Sequence, residues 1–231
     1  MKKFLLGIAT LLAFSCSGDD DGPAAPKQLL SKMTITHSDN DPTTYAVAYD
    51  SENRVKSVVK NDGETTTYTY AYNDDNLVGE VRITGNENSI MICNYDSSKR
   101  LTSLVYNGEN NPVTYSPATN TYSLGSLVTT LQPDGNVSSV SFLTFTYDAS
   151  KKGSLFGVKG NFQFINSFTD LNIVIMGAAR PVTAIGVPAG TDYSYSINNE
   201  FDDKDYITKL TLVQEGVNPS TSTYAYEYTS L

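Results

Sequence analysis

The stretch TTTYTYAYNDDNLVGEVRI, residues 65–83, carries the main evidence on the fold. From Thr67 to Tyr72 a threonine or alanine alternates with a tyrosine, and a period of two residues is typical of a half-buried β-strand. The segment Asn73–Asn76 follows. Its short polar side chains can bond to the nearby backbone and tolerate left-handed conformations, which favours a turn. Leu77–Ile83 is rich in branched residues and predicts the return strand of a β-hairpin.

The same pattern occurs three times without gaps. Tyr49, Tyr72 and Tyr95 lie 23 residues apart, and each is followed by Asp or Asn, a polar turn and two hydrophobic residues three positions apart. A fixed period is the signature of a repeated supersecondary unit. Asp-Gly and Asn-Gly pairs separate the units and are strong hairpin signals. We therefore predict an antiparallel up-and-down meander, with weaker copies of the unit at Tyr147-Asp148 and Phe201-Asp202.

The three-residue spacing within each unit has two explanations. Val55 and Val58, for example, would lie on opposite faces of a regular strand. Either each strand carries a β-bulge, or both faces of the sheet are partly covered. The predicted fold class is all-β, with about ten to fourteen strands curled into a barrel or half-barrel, because a flat sheet of that width is unusual.

The N-terminus has the pattern of a bacterial export signal. Lys2 and Lys3 precede the apolar run Phe4–Phe14, which is too short to span a bilayer, so residues 1–15 are predicted to be a signal peptide. Cys16 follows directly, and a cysteine at this position favours acylation of the new N-terminus. The alternative is a plain secretory signal with an incidental cysteine.

The region after Cys16 is predicted to be a flexible tether over residues 16–28, followed by one β domain over residues 29–231. Asp19–Asp21 form an acidic cluster among Gly, Ala and Pro. The cluster favours an export tag for the cell surface, and the alternative is a charged, solvated tether.

The composition limits the function classes. The chain from Cys16 onward keeps 14 lysines and arginines against 25 acidic residues, a net charge of −11, so no nucleic-acid partner is expected. If Cys16 is acylated, Cys93 is the one thiol left, and its apolar surroundings predict a buried structural role. Sixteen tyrosines and no tryptophan suit half-exposed strands.

The repeated units resemble the YD repeats of RHS-type proteins, in which a tyrosine-aspartate pair and a short turn precede an arginine and a hydrophobic residue. Arg54 and Arg100 match that arginine, and Leu77 departs from it. Leu12–Cys16 resembles a lipobox, with Ala13 where leucine is usual. Together they resemble a family of Bacteroidetes lipoproteins of unknown function with a porin-like fold, over roughly residues 30–231. The resemblance implies a curled antiparallel sheet and no activity.

The segment 160–178 breaks the repeat. Phe164, Phe168, Leu171 and Ile175 are spaced like one face of a helix. The run Leu171–Ile175 is also rich in branched residues, so helix and strand both stay open. We expect one short helix or an irregular plug against the concave side of the sheet.

No motif in the sequence identifies an enzyme, so we expect no catalytic residues, no metal site and no cofactor. His37 is the sole histidine, which excludes sites that need two, and we expect it to be exposed at a strand end. The acidic turns lack the spacing of an EF-hand calcium loop.

Two tyrosine rows are the binding candidates. They could form an aromatic surface or stabilise the sheet as cross-strand ladders, and they comprise Tyr68, Tyr70, Tyr72, Tyr224, Tyr226 and Tyr228. The sequence favours a non-enzymatic outer-membrane lipoprotein that faces the cell exterior, or alternatively the periplasm, and binds a surface protein or glycan. A glycan-binding accessory protein of an uptake system and a carboxylate-pair hydrolase are the alternatives.

Overall fold

The computed structural model describes residues 28–38, 41–85 and 88–231 and confirms the all-β fold class. The described part of the chain forms seventeen strands, more than expected, because the segment 109–140 adds several short ones. The strands are β1 Gln28–His37, β2 Thr43–Tyr49, β3 Val55–Asn61, β4 Thr65–Tyr72, β5 Val78–Thr84, β6 Ser89–Tyr95, β7 Leu101–Tyr106, β8 Glu109–Pro112, β9 Thr114–Ser116, β10 Thr121–Leu124, β11 Leu127–Leu131, β12 Val137–Val140, β13 Leu143–Tyr147, β14 Val182–Gly186, β15 Tyr193–Phe201, β16 Ile207–Gly216 and β17 Ser220–Ser230. Two short helices are α1 Phe162–Asn166 and α2 Leu171–Met176.

The strands form two curled antiparallel sheets rather than a closed barrel. The larger has eleven strands in the order β15-β16-β17-β1-β2-β3-β4-β5-β6-β7-β8, and the smaller has six in the order β14-β13-β12-β11-β10-β9. The C-terminal strand β17 pairs with β1. Val113 joins β8 directly to β9, and β15 lies beside β14, where the Asn199 side-chain amide donates to the Val182 carbonyl at 2.8 Å. The meander therefore runs in chain order around a common interior.

The hairpin turns that follow Tyr49, Tyr72, Tyr95 and Phe201 share one geometry. In each, a side-chain oxygen accepts the backbone N–H groups two and four residues later, at 2.8–3.0 Å, which closes an Asx turn. The accepting residues are Asp50, Asn73, Asp96 and Asp202. The residue three positions after each has a positive φ of 60–66°, a region that Asn and Asp enter more readily than most residues.

A β-bulge explains the three-residue spacing. In the β2–β3 hairpin Ala48 pairs with Ser57 and Tyr49 pairs with Val55, so Lys56 is an extra residue. The same shift occurs in the β4–β5 and β6–β7 hairpins. The extra residue returns the chain to the same face, and Val55 and Val58 are therefore both fully buried.

Tyrosine hydroxyls bond to the bulges. In five bulges the carbonyl of the first bulge residue accepts a hydrogen bond of 2.5–3.0 Å from a tyrosine on the next strand. The pairs are Tyr49 with Leu30, Tyr72 with Val55, Tyr95 with Val78, Tyr147 with Val137, and Tyr228 with Ile207. Each tyrosine therefore stabilises the bulge on the strand before its own.

Lys99 is the one lysine at a turn position with positive φ among the described residues, at 63°. Asn53 and Asn76 occupy the matching positions of the two preceding turns. We predict that Lys99→Asn raises the free energy of unfolding by about 0.5 kcal/mol. A Cβ disfavours this conformation, and the short polar side chain of Asn offsets part of that cost by hydrogen bonds to the local backbone. Urea denaturation measures the change.

The control for this prediction is Lys99→Ala. Both variants remove the exposed ion pair between Lys99 and Asp75, which is 2.8 Å long, but alanine keeps the unfavourable φ. Equal stabilities of the two variants would contradict the prediction.

Candidate functional site

The interior between the two sheets is filled by the segment 161–178. The expected plug is present, but it consists of two short helices, α1 and α2, and not of one helix or an irregular segment. The chain leaves the helical conformation at Asp170, whose φ is −139°, and the Asp170 side chain then accepts the Asn172 N–H to start α2. The helical stripe read from the sequence is therefore split between two helices. Phe164 and Ile175 are buried, whereas Leu171 is 39% exposed.

Two amide side chains fix the plug to both sheets by the same arrangement. On the eleven-stranded sheet, Asn161 accepts the Val78 N–H at 2.8 Å and donates to the Tyr95 hydroxyl at 3.0 Å, while that hydroxyl donates to the Val78 carbonyl. On the six-stranded sheet, Gln163 accepts the Val137 N–H at 3.1 Å and donates to the Tyr147 hydroxyl at 3.3 Å. Each amide closes a triangle with a bulge and its tyrosine. We call these two arrangements the amide clamps.

A buried polar group lies at the centre of the plug. Asn166 is fully buried, accepts a hydrogen bond from the Tyr70 hydroxyl at 3.0 Å and donates to the Phe162 carbonyl at 2.8 Å. Since buried amides are stable when hydrogen-bonded, Asn166 holds α1 against β4. The Phe162 ring contacts the Tyr70 ring edge-on, with 5.0 Å between centroids.

The predicted binding tyrosines line the concave face of the eleven-stranded sheet. The row on β4 and the row on β17 have the same arrangement along the strand. Tyr72 and Tyr228 bond to bulge carbonyls, and Tyr70 and Tyr226 are buried in the middle of the sheet. Tyr224 and Tyr68, the remaining members, are 3% and 9% exposed. The rows therefore face the plug, and their role in ligand binding stays a prediction.

Tyrosine hydroxyls also gather around the start of α2. The Tyr224 hydroxyl donates to Asn172 at 3.3 Å, and the Tyr45 hydroxyl donates to Asp170 at 3.5 Å. Burial, and then the Asp170 carboxylate, raise the pKa of Tyr224 to about 12. Burial likewise raises the pKa of Tyr68. These hydroxyls stay protonated at neutral pH and act as hydrogen-bond donors, not as bases.

The remaining reactive side chains are held in structural contacts. His37 is half-buried, rather than exposed as expected, because its Nδ1 lies 2.7 Å from the Ser222 hydroxyl of β17. Cys93 is buried, as predicted, and burial raises the pKa of its thiol to about 12. Across residues 28–38, 41–85 and 88–231, no group of three or more His, Cys, Asp or Glu side chains could hold a metal ion. Cys16 lies outside the described residues.

A cavity of about 220 Å³ opens between the β11–β12 turn and the loop before α1. Its lining combines buried apolar side chains, among them Leu155, Phe162 and Phe164, with the exposed charges of Asp134 and Lys159. Sequence reasoning missed this site because the nearest lining residues of its two halves, Asn136 and Leu155, are 19 positions apart and neither half contains a recognisable motif. A shallow second groove is lined by the exposed residues Phe142 and Leu171.

The clamp formed by Gln163 can be tested by Gln163→Leu. The variant leaves the Val137 N–H and the Val174 carbonyl without their partner in a buried site. We predict a loss of about 3 kcal/mol in the free energy of unfolding, measured by urea denaturation. Gln214→Leu is the matched control, because Gln214 bonds at 3.2–3.3 Å to exposed turn carbonyls. A Gln163→Leu loss no larger than that of the control would refute the clamp.

No protein-family profile matches this chain, and no curated protein matches it. Among solved structures, the chain is similar to the crystal structure of a porin-like protein from Bacteroides uniformis ATCC 8492. The two are 15% identical, the match covers 90% of this chain and 100% of that chain, and the TM-score is 0.44. Among the described residues, no helix is long and apolar enough to span a membrane. The resemblance to a lipoprotein family therefore stays a prediction from the sequence.

Proposed function

We propose that the protein is a non-enzymatic lipoprotein of the outer membrane, anchored through acylated Cys16, that acts as a binding or assembly module facing the cell exterior. The main support for this proposal is that the interior between the two sheets is filled by the protein itself. The segment 161–178 occupies the concave side of both sheets and is bonded to both. A partner therefore meets turns, edges and outer faces, which suits contacts with another macromolecule at the surface.

The direction of the chain supports the anchor. Gln28 begins β1 at the end of the sheet that carries the turns after Tyr49, Tyr72 and Tyr95, and its side-chain amide donates to Asp202 at 3.3 Å. We call this the anchor end, because the predicted tether enters there. The opposite, distal end carries the turns after β3, β5, β12 and β16.

The distal end presents apolar side chains. Phe142 and Val217 are both 58% exposed in the β12–β13 and β16–β17 turns, and Tyr106 is 43% exposed at the end of β7. Leu171 adds to the same end, because Asp170 beside it contacts Tyr45 near the start of β2. Of these side chains, Phe142 and Leu171 line one groove. Exposed apolar groups that lie together mark interaction sites, which supports a partner on the side away from the anchor.

The anchor can be tested by Cys16→Ala. Because the acyl chains would supply the membrane attachment, we expect the variant to lose incorporation of a clickable palmitate analogue and to move from the membrane fraction to the soluble fraction. Cys93→Ala is the control and should keep both properties. Equal labelling of Cys16→Ala and the unchanged protein would contradict the proposal.

Surface exposure needs a separate experiment. Proteinase K added to intact cells should degrade the protein, while a periplasmic marker stays protected. Complete protection of the protein, with digestion after lysis, would place it on the periplasmic side and overturn the exterior location.

A further inference from the structure

The 220 Å³ cavity lies at the anchor end, beside both amide clamps. Its floor is apolar, since Leu155, Phe162 and Phe164 are each at most 5% exposed. Gly160 beside it has a φ of 94°, and a Cβ there would lie 2.9 Å from the Tyr72 ring. The backbone at Gly160, at the mouth of the cavity, therefore packs closely against the sheet. This packing fixes the shape of the cavity on that side.

The side-chain amides in the cavity lining already form hydrogen bonds with other groups of the protein. Asn161 and Gln163 form the clamps, and Asn136 donates to the Asp134 carboxylate at 2.7 Å and accepts the Ala179 N–H at 3.3 Å. These bonds fix the shape of the cavity. They leave the two charged side chains at the mouth as the groups that could bind a ligand.

The two charges at the mouth have opposite sign but do not pair with each other. Asp134 accepts both of its hydrogen bonds from Asn136, at 2.7 and 3.1 Å, and carboxylate lone pairs remain free. Lys159 makes no ion pair, hydrogen bond or ring contact within the part of the chain that the structure describes. Five other lysines each lie within 2.5–2.9 Å of a carboxylate, namely Lys32, Lys60, Lys99, Lys151 and Lys209.

We propose that the cavity binds a free amino acid with an apolar side chain. The ligand carboxylate pairs with the Lys159 ammonium, the α-ammonium pairs with Asp134, and the side chain lies on Leu155, Phe162 and Phe164. A carboxylate without an amine would be repelled by Asp134, and an amine without a carboxylate would be repelled by Lys159. A zwitterion satisfies both charges. This proposal goes beyond the function proposed above, because it concerns a small ligand in a cavity at the anchor end and not the macromolecular partner at the distal end.

Isothermal titration calorimetry of the purified protein with L-leucine and L-phenylalanine tests the proposal. We expect saturable binding at one site. N-acetyl-leucine and leucine amide, each lacking one charge, should bind about tenfold more weakly, as expected for loss of one charge-assisted bond. Lys159→Gln and Asp134→Asn should each weaken leucine binding by a similar factor. Lys56→Gln, an exposed lysine on β3, is the control and should leave binding unchanged.

A larger side chain on the apolar floor of the cavity provides an independent test. Leu155→Trp should abolish binding, and a cooperative unfolding transition shows whether this variant folds. If it does not fold, the two mouth variants carry the test, because Lys159 and Asp134 are exposed. No heat of binding at millimolar leucine, equal affinity for hexanoate, or unchanged binding by Lys159→Gln would each overturn the proposal. None of these results would affect the labelling and protease experiments on Cys16, so the two proposals fail separately.

Discussion

The hydrogen bond from a tyrosine hydroxyl to a bulge carbonyl is the interaction on which the sheets depend. A bulge takes a backbone carbonyl out of the regular ladder, and a buried carbonyl needs a partner. Tyr72 supplies it for Val55, and Tyr95 supplies it for Val78. Because Tyr72 and Tyr95 begin the turns of their own hairpins, each of these hairpins stabilises the one before it. The 23-residue spacing of Tyr49, Tyr72 and Tyr95 reflects this contact between successive hairpins.

The local part of this arrangement could be predicted from the sequence, since turn residues and strand alternation act over a few positions. The sequence left bulges and a doubly covered sheet equally open, because both give a spacing of three between Val55 and Val58. The pairing of β2 with β3 shows that the bulge is the correct explanation, because the register of the two strands shifts between Ala48 and Tyr49. The short strands were missed for a similar reason. Glu109–Pro112 has no apolar alternation, and it is a strand because β7 pairs with it.

The candidate sites were harder to predict than the fold. Tyrosine suits a buried face and an exposed face equally well, so alternation alone could not say that Tyr70 would meet Asn166 inside the protein. The two helices depend on contacts between residues that are distant in sequence, such as Gln163 with Val137. No local sequence pattern predicts such contacts. The cavity is assembled from a turn of the six-stranded sheet and the loop before α1. Asp134 and Lys159 line the same cavity only in the folded protein, so the sequence alone could not indicate that their charges lie at one site.

The clamps also determine how the two ends of the molecule relate. Asn161 and Gln163 bond the plug to both sheets at the anchor end, where the cavity opens, while Asp170 and Leu171 lie at the distal end of the same plug. A packed interior transmits displacement poorly unless it has a second stable arrangement, and the amide groups of both clamps have their hydrogen-bond partners in this structure. Occupation of the cavity should therefore leave the distal apolar surface unchanged. A ligand at the anchor end and a partner at the distal end would then bind independently.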